Sequence, residues 1–381
     1  MAFTTIIIGS GLSGLTLAER LSLNKNEKIL VIEQHQHIGG NAYDRFDEHG
    51  VLVHEYGPHI FHTRSKEVWD YLSQFTKWHY YEHRVLVKVD GKELPIPFNL
   101  NTIEQVFPKD MAARMQDKLV SLLGYNVKVP ILKLREQDDE DLKFLANYVY
   151  EKVFLHYTLK QWGIGPEQLD PTVTGRVPVY ISRDDRYFQD KYQGLPKFGY
   201  TEMFKCMMDH PNIHVMLNTK YQEVMTIAAE GNTLFGKPFD GKVIYTGMID
   251  ELFNFEFGEL PYRSLRFEYD TFDVEYKQSV GQLNSPNGYD FTRITEFKHL
   301  TGQKHPKTTI AREYPESYVR GENTPYYPII ADENQKKYKQ YKELAEKLPN
   351  VYLVGRLAEY KYYDMDAVVA TALKLYKKLT I

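Results

Sequence analysis

TTIIIGSGLSGLTLAERLSLNKNEKILVIE, residues 4–33, decides the fold. Thr4–Ile8 is a short β-branched run that ends on glycine, the pattern of a buried strand. Leu12–Leu23 follows with Leu12, Leu15, Leu17, Ala18 and Leu21 at helical spacing, and Lys28–Glu33 reads as a second strand. Between the first strand and the helix lies Gly9-Ser10-Gly11-Leu12-Ser13-Gly14, a GxGxxG turn. Its first glycine allows the tight turn, its second lets backbone approach a pyrophosphate, and its third lets helix and strand pack closely. The pyrophosphate sits at the positive end of the helix. Glu33, closing the second strand, is placed to accept hydrogen bonds from a ribose hydroxyl. The motif alone is weak, because a glycine turn need hold no ligand. Strand, turn, helix, strand and acid in this order point to a dinucleotide.

Outward from this unit, two further glycine turns favour FAD over NAD. Gly39-Gly40-Asn41 lets a long dinucleotide run on across the domain. Near the other end of the chain, Gly355-Arg356 follows the strand Val351–Val354 and precedes Tyr362-Tyr363-Asp364-Met365, where the start of the helix Met365–Lys378 offers backbone N–H groups. There is no second GxGxxG to build an NAD(P)H domain.

The middle of the chain has a different texture. Ser65–Thr76 reads as a helix. Val85–Val89 and Lys92–Pro95 flank Asp90-Gly91, the signal of a type I′ hairpin. Helical patterning runs from about 99 to 163, with segments near Lys109–Leu123 and Asp141–Leu155 and a charged, solvated loop between them. From about 173 to 327, short alternating segments rich in Tyr, Phe, Val and Thr suggest an antiparallel sheet. Ile213–Leu217 and Val243–Tyr245 read as strands that return to the first unit, and Ala331–Leu348 as an exposed helix. The expected architecture is α/β. A Rossmann-like FAD-binding domain is assembled from residues 1–78, 197–248 and 331–381. A helical insertion covers 99–163, and an antiparallel β-sheet domain is built from 79–98, 164–196 and 249–330.

Composition narrows the class. With 381 residues, 43% hydrophobic and 26% charged, the chain has the make-up of an ordinary globular protein of two or three sub-domains. No run of about 18 apolar residues marks a transmembrane helix, and no secretion signal precedes the first strand. A net charge of −4 without a polybasic block argues against a nucleic-acid binder or a membrane-surface protein. The single cysteine, Cys206, excludes an intrachain disulfide, fits a reducing cytoplasm, and is expected to be a small buried hydrophobe. Thirty tyrosines leave a pool of rings for stacking bases and sugars.

Five further stretches identify a family. GPHIFHT (57–63), YTLKQWG (157–163), GRVPVY (175–180) with DDRYF (184–188), PYYP (325–328) and GRLAEYKYYDMD (355–366) resemble the UDP-galactopyranose mutases, and the likeness covers essentially the whole chain. The resemblance implies interconversion of UDP-galactopyranose and UDP-galactofuranose without net redox change, supplying galactofuranose for cell-surface glycans. It implies that FAD is active when reduced, its N5 acting as nucleophile at the anomeric carbon. It further implies an external reductant such as NAD(P)H, a cytoplasmic location, and a homodimer through the helical insertion.

The resemblance carries over onto individual residues. Arg176 and Arg293 match arginines that hold the diphosphate, where fixed guanidiniums stabilise the departing anion. Tyr157, Thr158 and Trp162 match the uridine pocket and the wall of the cleft, with Phe154 one turn earlier. Thr158 and Trp162, four apart, share a helix face. Tyr187, Tyr327 and Tyr362 match tyrosines that contact phosphate. His59 and His62 match a pair near the isoalloxazine and sugar, with Ile60 between them. Their H-x-x-H spacing also suits a metal, but no carboxylate or cysteine set completes such a site. Arg356, Asp364 and Met365 match positions around the flavin and the substrate edge, although Asp364 at a helix start also suits an N-cap. The chain departs from the family at Glu82, where an asparagine is usual; a carboxylate there is expected to turn away from a diphosphate. A loop near Val173–Tyr187 is expected to close over the diphosphate.

Three alternatives stay open at this level. One is a flavin oxidase or dehydrogenase on the same fold, which has no use for a paired-arginine clamp. Another is a fold relative that has lost its flavin and binds a protein, as Rab GDP-dissociation inhibitors do. The third is a mutase preferring UDP-N-acetylgalactosamine.

Overall fold

The computed structural model describes residues 3–24, 27–163, 165–168 and 178–380. Its centre is a five-stranded, wholly parallel sheet in the order Ile213–Met216, Ile29–Ile32, Thr5–Ile8, Lys242–Tyr245, Val351–Leu353. Every residue of Thr5–Ile8 and Ile29–Ile32 is buried, because a parallel sheet is covered on both faces. Side chains alternate between those faces. Ile7, Val31 and Ile244 pack on the helices Leu12–Ser22 and Met365–Thr380 through Leu17, Ala18, Leu21 and Ala372. Ile6, Ile8, Leu30, Ile32 and Val243 pack on the other side against Met225, Leu234 and Phe239. Those three come from a small antiparallel sheet, Met225–Thr226, Asn232–Leu234 and Lys237–Phe239. Strands from the beginning, middle and end of the chain therefore complete one α/β Rossmann-like unit.

A second, seven-stranded sheet runs Tyr327–Pro328, Tyr262–Phe272, Thr308–Ser317, Arg293–Glu296, Gln282–Asn284, Val85–Val89, Lys92–Ile96. It is antiparallel except where Gln282–Asn284 lies parallel to Val85–Val87. The hairpin turn between its last two strands has Asp90 at φ 49° and Gly91 at φ 79°, the two positive values a type I′ turn requires. One face of this hairpin, Val85, Val87, Val89, Leu94 and Ile96, shares a core with the helical segment through Ile103, Met115, Leu119, Leu142 and Leu145.

Several expectations need correction. Pro178–Ile181 and Tyr192–Pro196 do not join the seven-stranded sheet. The first pairs with Val127–Pro130 and Phe98–Asn99, the second with Phe61–Thr63 and Trp78–His79. Alternation gives a strand but not its partner, and here the partners lie far away in sequence. The helix Lys66–Leu72 is shorter than Ser65–Thr76, starting where the Ser65 hydroxyl caps Val68 N–H. The charged loop is more than solvated surface, since Asp139 caps the helix Glu140–Val149. Cys206 is exposed, because Tyr200, Met203, Phe204 and Met207 occupy the inward stripe of its helix. No helix among the described residues is long and apolar enough to cross a membrane.

Candidate functional site

Two compartments meet where these units join. The first, about 260 Å³, runs from Glu33 and His35 past Gly11, Leu12, Ser13, Gly39, Gly40 and Asn41 to Gly355, Arg356 and Met365. Its glycines have separable reasons. Gly9, at φ 100°, passes so close to Thr246 that a Cβ would lie 2.1 Å from its hydroxyl. A Cβ on Gly14 would lie 2.1 Å from the Gly9 carbonyl. Gly14 thus keeps helix on strand from behind the compartment. Gly11 is extended, and a Cβ there would meet only Gly40 Cα, at 3.9 Å. Neither conformation nor packing demands glycine at 11; a side chain would instead fill the compartment. Gly11 is also the N-cap of Leu12–Ser22 without any side-chain cap, so the first N–H groups of that helix remain for a ligand. The elongated, glycine-lined cradle fits a dinucleotide.

Glu33 is 5% exposed and already crowded. Oε2 accepts from the Ser10 N–H and hydroxyl, both at 2.8 Å, and Oε1 from the His35 N–H at 2.9 Å and Nδ1 at 2.7 Å. Burial raises its pKa, but the His35 and Ser10 hydrogen bonds outweigh this and hold it below the usual carboxylate value. A ribose hydroxyl therefore competes here with donors that the protein itself supplies.

The second compartment, about 490 Å³, is made of side chains. Asn41, His59, Tyr326, Arg356 and Met365 line both, so the two are one continuous cleft. Ile60, His62, Tyr157, Trp162, Tyr187, Arg293, Tyr327, Tyr362 and Asp364 line the second alone. Tyr362 and Asp364 thus stand with the substrate-type residues and not along the glycine cradle. Tyr362 meets Trp162 and Tyr327 edge to face at centroid distances of 5.3 and 5.2 Å, and Trp162 and Tyr327 are tilted to one another at 6.0 Å. The Arg356 guanidinium lies 5.3 Å from the centre of the Tyr327 ring while donating to the carbonyls of Tyr363 and Tyr326.

Arg293 brings a part-buried ion pair that sequence reading missed. Its Nε and Nη2 lie 2.7 and 2.6 Å from Glu313 Oε2, and Glu313 is 1% exposed. Burial works against the Arg293 charge, but Glu313 overcomes this and holds the guanidinium well above the usual arginine value. Glu313 lies 20 residues away on the neighbouring strand and carries no local motif. His83 was missed too. It lines the cleft 2% exposed, and burial pushes its pKa down to about 3.

The histidine pair separates into two environments. His59 Nδ1 is 2.8 Å from the Gly57 carbonyl. Burial, with His54 nearby, pushes its pKa down to about 3, so the ring is neutral. A carbonyl only accepts, so Nδ1 carries the proton and Nε2 is an acceptor. Behind it, His54 Nδ1 accepts the His59 N–H at 3.0 Å, and burial lowers its pKa to about 4. His62 instead pairs with Asp190 at 2.6 Å and stacks on Phe188 at 3.6 Å. Among the described residues no group of three or more His, Cys, Asp or Glu could hold a metal ion.

The YTLKQWG helix corrects two expectations. Residues 150–155 form a π-helical turn before His156–Trp162, and this wider turn breaks the 3.6 spacing that placed Phe154 on the cleft wall. Phe154, 2% exposed, faces the helical core, and Thr158 is buried without lining the cleft. The cleft-facing pair is Tyr157 and Gln161. Burial raises the Tyr157 pKa. Lys160 anchors the helix by donating to the carbonyls of Ser285, Tyr289 and Phe291, and burial lowers its pKa to about 8. Arg263 caps the last turn through the carbonyls of Gln161 and Lys160. Glu82 pairs with Arg186 at 2.9 Å and does not line the cleft. Arg176, and the start of the loop expected to close, lie outside the described residues.

Comparisons with known proteins agree on one family. The family model "UDP-galactopyranose mutase" matches residues 152–362, and that of an NAD(P)-binding Rossmann-like domain matches 7–75. The UDP-galactopyranose mutase of Mycoplasma genitalium is 37% identical, over 99% of this chain and 95% of its own. The dTDP-fucopyranose mutase of Escherichia coli is 34% identical, over 97% and 96%. A crystal structure of reduced UDP-galactopyranose mutase superposes with a TM-score of 0.73 at 17% identity, covering 100% of this chain and 94% of that one. The Rossmann-like match at residues 7–75 agrees with a dinucleotide in the glycine cradle. With a family model across more than half its length and curated relatives along nearly all of it, the chain belongs to the UDP-galactopyranose mutase family of isomerases.

Proposed function

We propose that this protein interconverts UDP-galactopyranose and UDP-galactofuranose without net redox change, with reduced FAD along the glycine cradle and the UDP-sugar in the side-chain compartment. The observation that carries this reading is the confluence of the two compartments at Asn41, His59, Tyr326, Arg356 and Met365. A sugar in the second compartment can meet a ring system lying in the first. When bound and reduced, the flavin supplies a nucleophilic N5 for the anomeric carbon.

The protein's own part is to hold an anion that leaves and returns. Arg293, fixed by Glu313, holds the diphosphate, and the resemblance gives Arg176 the same role. The hydroxyls of Tyr187, Tyr327 and Tyr362 add neutral donors. Tyr157 lies against the uracil, and Trp162 closes the sugar end. His59 Nε2, an acceptor in its neutral ring, can accept a hydrogen bond from a sugar hydroxyl and so orient it. Arg356 beside the junction favours the anionic form of a reduced flavin, since a nearby cation stabilises negative charge. NAD(P)H as reductant, a homodimer and a cytoplasmic location complete the proposal.

The test is incubation of the purified protein with UDP-galactofuranose, with and without dithionite, followed by chromatography of the UDP-sugars. Conversion only under reduction is expected. A yellow, dithionite-bleached protein that converts nothing would overturn the assignment for this sugar. The E. coli relative makes dTDP-fucopyranose a necessary second substrate in the panel, with UDP-N-acetylgalactosamine as a third.

A further inference from the structure

His59 and His62 stand three residues apart and are held by different groups. His59 lines both compartments, and its Nδ1 proton goes to a backbone carbonyl. His62 lines the side-chain compartment alone, and its Nδ1 lies 2.6 Å from Asp190 Oδ2. Asp190 lines neither compartment. Its other oxygen accepts from Arg64 Nε at 2.7 Å. The His62 hydrogen bond outweighs burial and, with that of Arg64, holds the Asp190 carboxyl below the usual aspartate value. The imidazole is fixed on its face as well, stacked on Phe188 with centroids 3.6 Å apart and planes at 16°. Gln193 clamps the segment that carries Phe188 and Asp190. It pairs with His62 across two antiparallel strands, and its Nε2 donates to the carbonyls of Phe188 at 3.1 Å and Asp190 at 2.8 Å.

A carboxylate only accepts, so Nδ1 carries the proton and Nε2 is the nitrogen left for a ligand. Nε2 makes no hydrogen bond among the described residues, and it is not one of the unpaired side-chain atoms shut off from solvent. It therefore stays open in a side chain that lines the compartment. A carboxylate on one imidazole nitrogen holds the ring in a single tautomer and orientation for work at the other. We infer that Asp190 is a positioning residue, fixing the ring plane and tautomer of His62 so that Nε2 meets the nucleotide sugar. This rests on the function proposed above and adds to it a residue that never touches the ligand. Because His62 does not line the glycine cradle, the pair serves the substrate and not the flavin.

The test is a double-mutant cycle on the reduced holoenzyme, with wild type, Asp190→Ala, His62→Phe and the double variant. Loss of one hydrogen bond to a charged group predicts a fall of roughly tenfold to a hundredfold in kcat/KM for UDP-galactofuranose in Asp190→Ala. In the His62→Phe background the same change should cost less than about twofold, because no imidazole is left to position. Asp190→Asn, whose Oδ1 still accepts from Nδ1, should recover most of the loss. Flavin content and the flavin absorbance spectrum should match wild type throughout. An Asp190→Ala penalty that persists undiminished in His62→Phe, a loss of flavin, or wild-type kcat/KM in Asp190→Ala overturns the inference. An Asp190→Asn variant as impaired as Asp190→Ala overturns it too, since the carboxylate would then act through its charge and not by position. Failure of the wild-type enzyme to turn over any UDP-sugar sinks the underlying function instead, so the two failures are distinguishable.

Discussion

The two halves of the cleft are built on opposite plans. The cradle is backbone: Gly11, Gly39, Gly40 and Gly355 clear a path, and the uncapped helix at Leu12 supplies donors. The substrate compartment is side chain: Tyr157 with Trp162, Arg293, Tyr327 and Tyr362 come from four separate places in the sequence. A backbone site needs a conformation, which a short stretch of sequence can specify. A side-chain site needs distant elements in register, and its members depend on partners that lie outside the cleft.

That difference predicts where damage is greatest. Glu313→Ala leaves the part-buried Arg293 charge without its partner and should destabilise the fold by about 2–3 kcal/mol, below the cost at a fully buried pair because the guanidinium is 19% exposed, read as a shift in urea unfolding. Replacing both residues with methionine should recover most of that stability while leaving the enzyme inactive. If Glu313→Ala costs under about 1 kcal/mol, the pair is as solvent-screened as a surface one and the contrast with the cradle weakens.

In the cradle, two glycines three apart should fail differently. Gly11→Val should weaken FAD binding on the order of a hundredfold, equivalent to about 3 kcal/mol of overpacking, with little change in the stability of the apoprotein. Gly14→Ala drives a Cβ into the Gly9 carbonyl and should lower the stability of the fold itself. Flavin absorbance and far-UV circular dichroism of the two variants separate these outcomes. Equal loss of fold in both would erase the distinction.

Legibility followed the same divide. GxGxxG, GGN and the Asp90-Gly91 turn could be read because each is a short local motif, and Glu33 because it closes the strand that follows the first of them. The partners of Pro178–Ile181 and Tyr192–Pro196 could not, since alternation is silent about which distant strand is met. Phe154 was misplaced because a π-turn changes the period within one helix. Glu313 and His83 had no motif, since each is brought to the cleft by tertiary packing alone.

Acid should act on the side-chain half through His54 and His83, both buried and neutral. Unfolded, each binds a proton near 6.5; folded, each resists until about 4 and about 3 respectively. Between those values the unfolded chain binds more protons, so their contribution is complete above about pH 6.5 and is lost as pH falls. Each should contribute up to ~1.4 kcal/mol per pH unit to that loss. Urea midpoints measured from pH 7 to 5 should fall, and His83→Gln should flatten the slope by one histidine's share. A slope unchanged in His83→Gln would mean that this ring titrates freely in the folded state.

The smallest effect belongs to the crowded carboxylate of the cradle. His35→Ala removes the Nδ1 donor from Glu33 Oε1 and leaves the backbone N–H of residue 35 in place. One lone pair is then free for a ribose hydroxyl without competition. The lost bond and the gained one are each worth about 1 kcal/mol, so they should nearly cancel. The Kd for FAD in His35→Ala should therefore stay within about threefold of wild type, whereas Glu33→Gln, which turns one of the two oxygens that Ser10 and His35 separately occupy into a donor, should release the flavin readily. If His35→Ala loses flavin as readily as Glu33→Gln, the imidazole touches the cofactor itself, and the cradle would then depend on a side chain in the same way as the compartment beyond it.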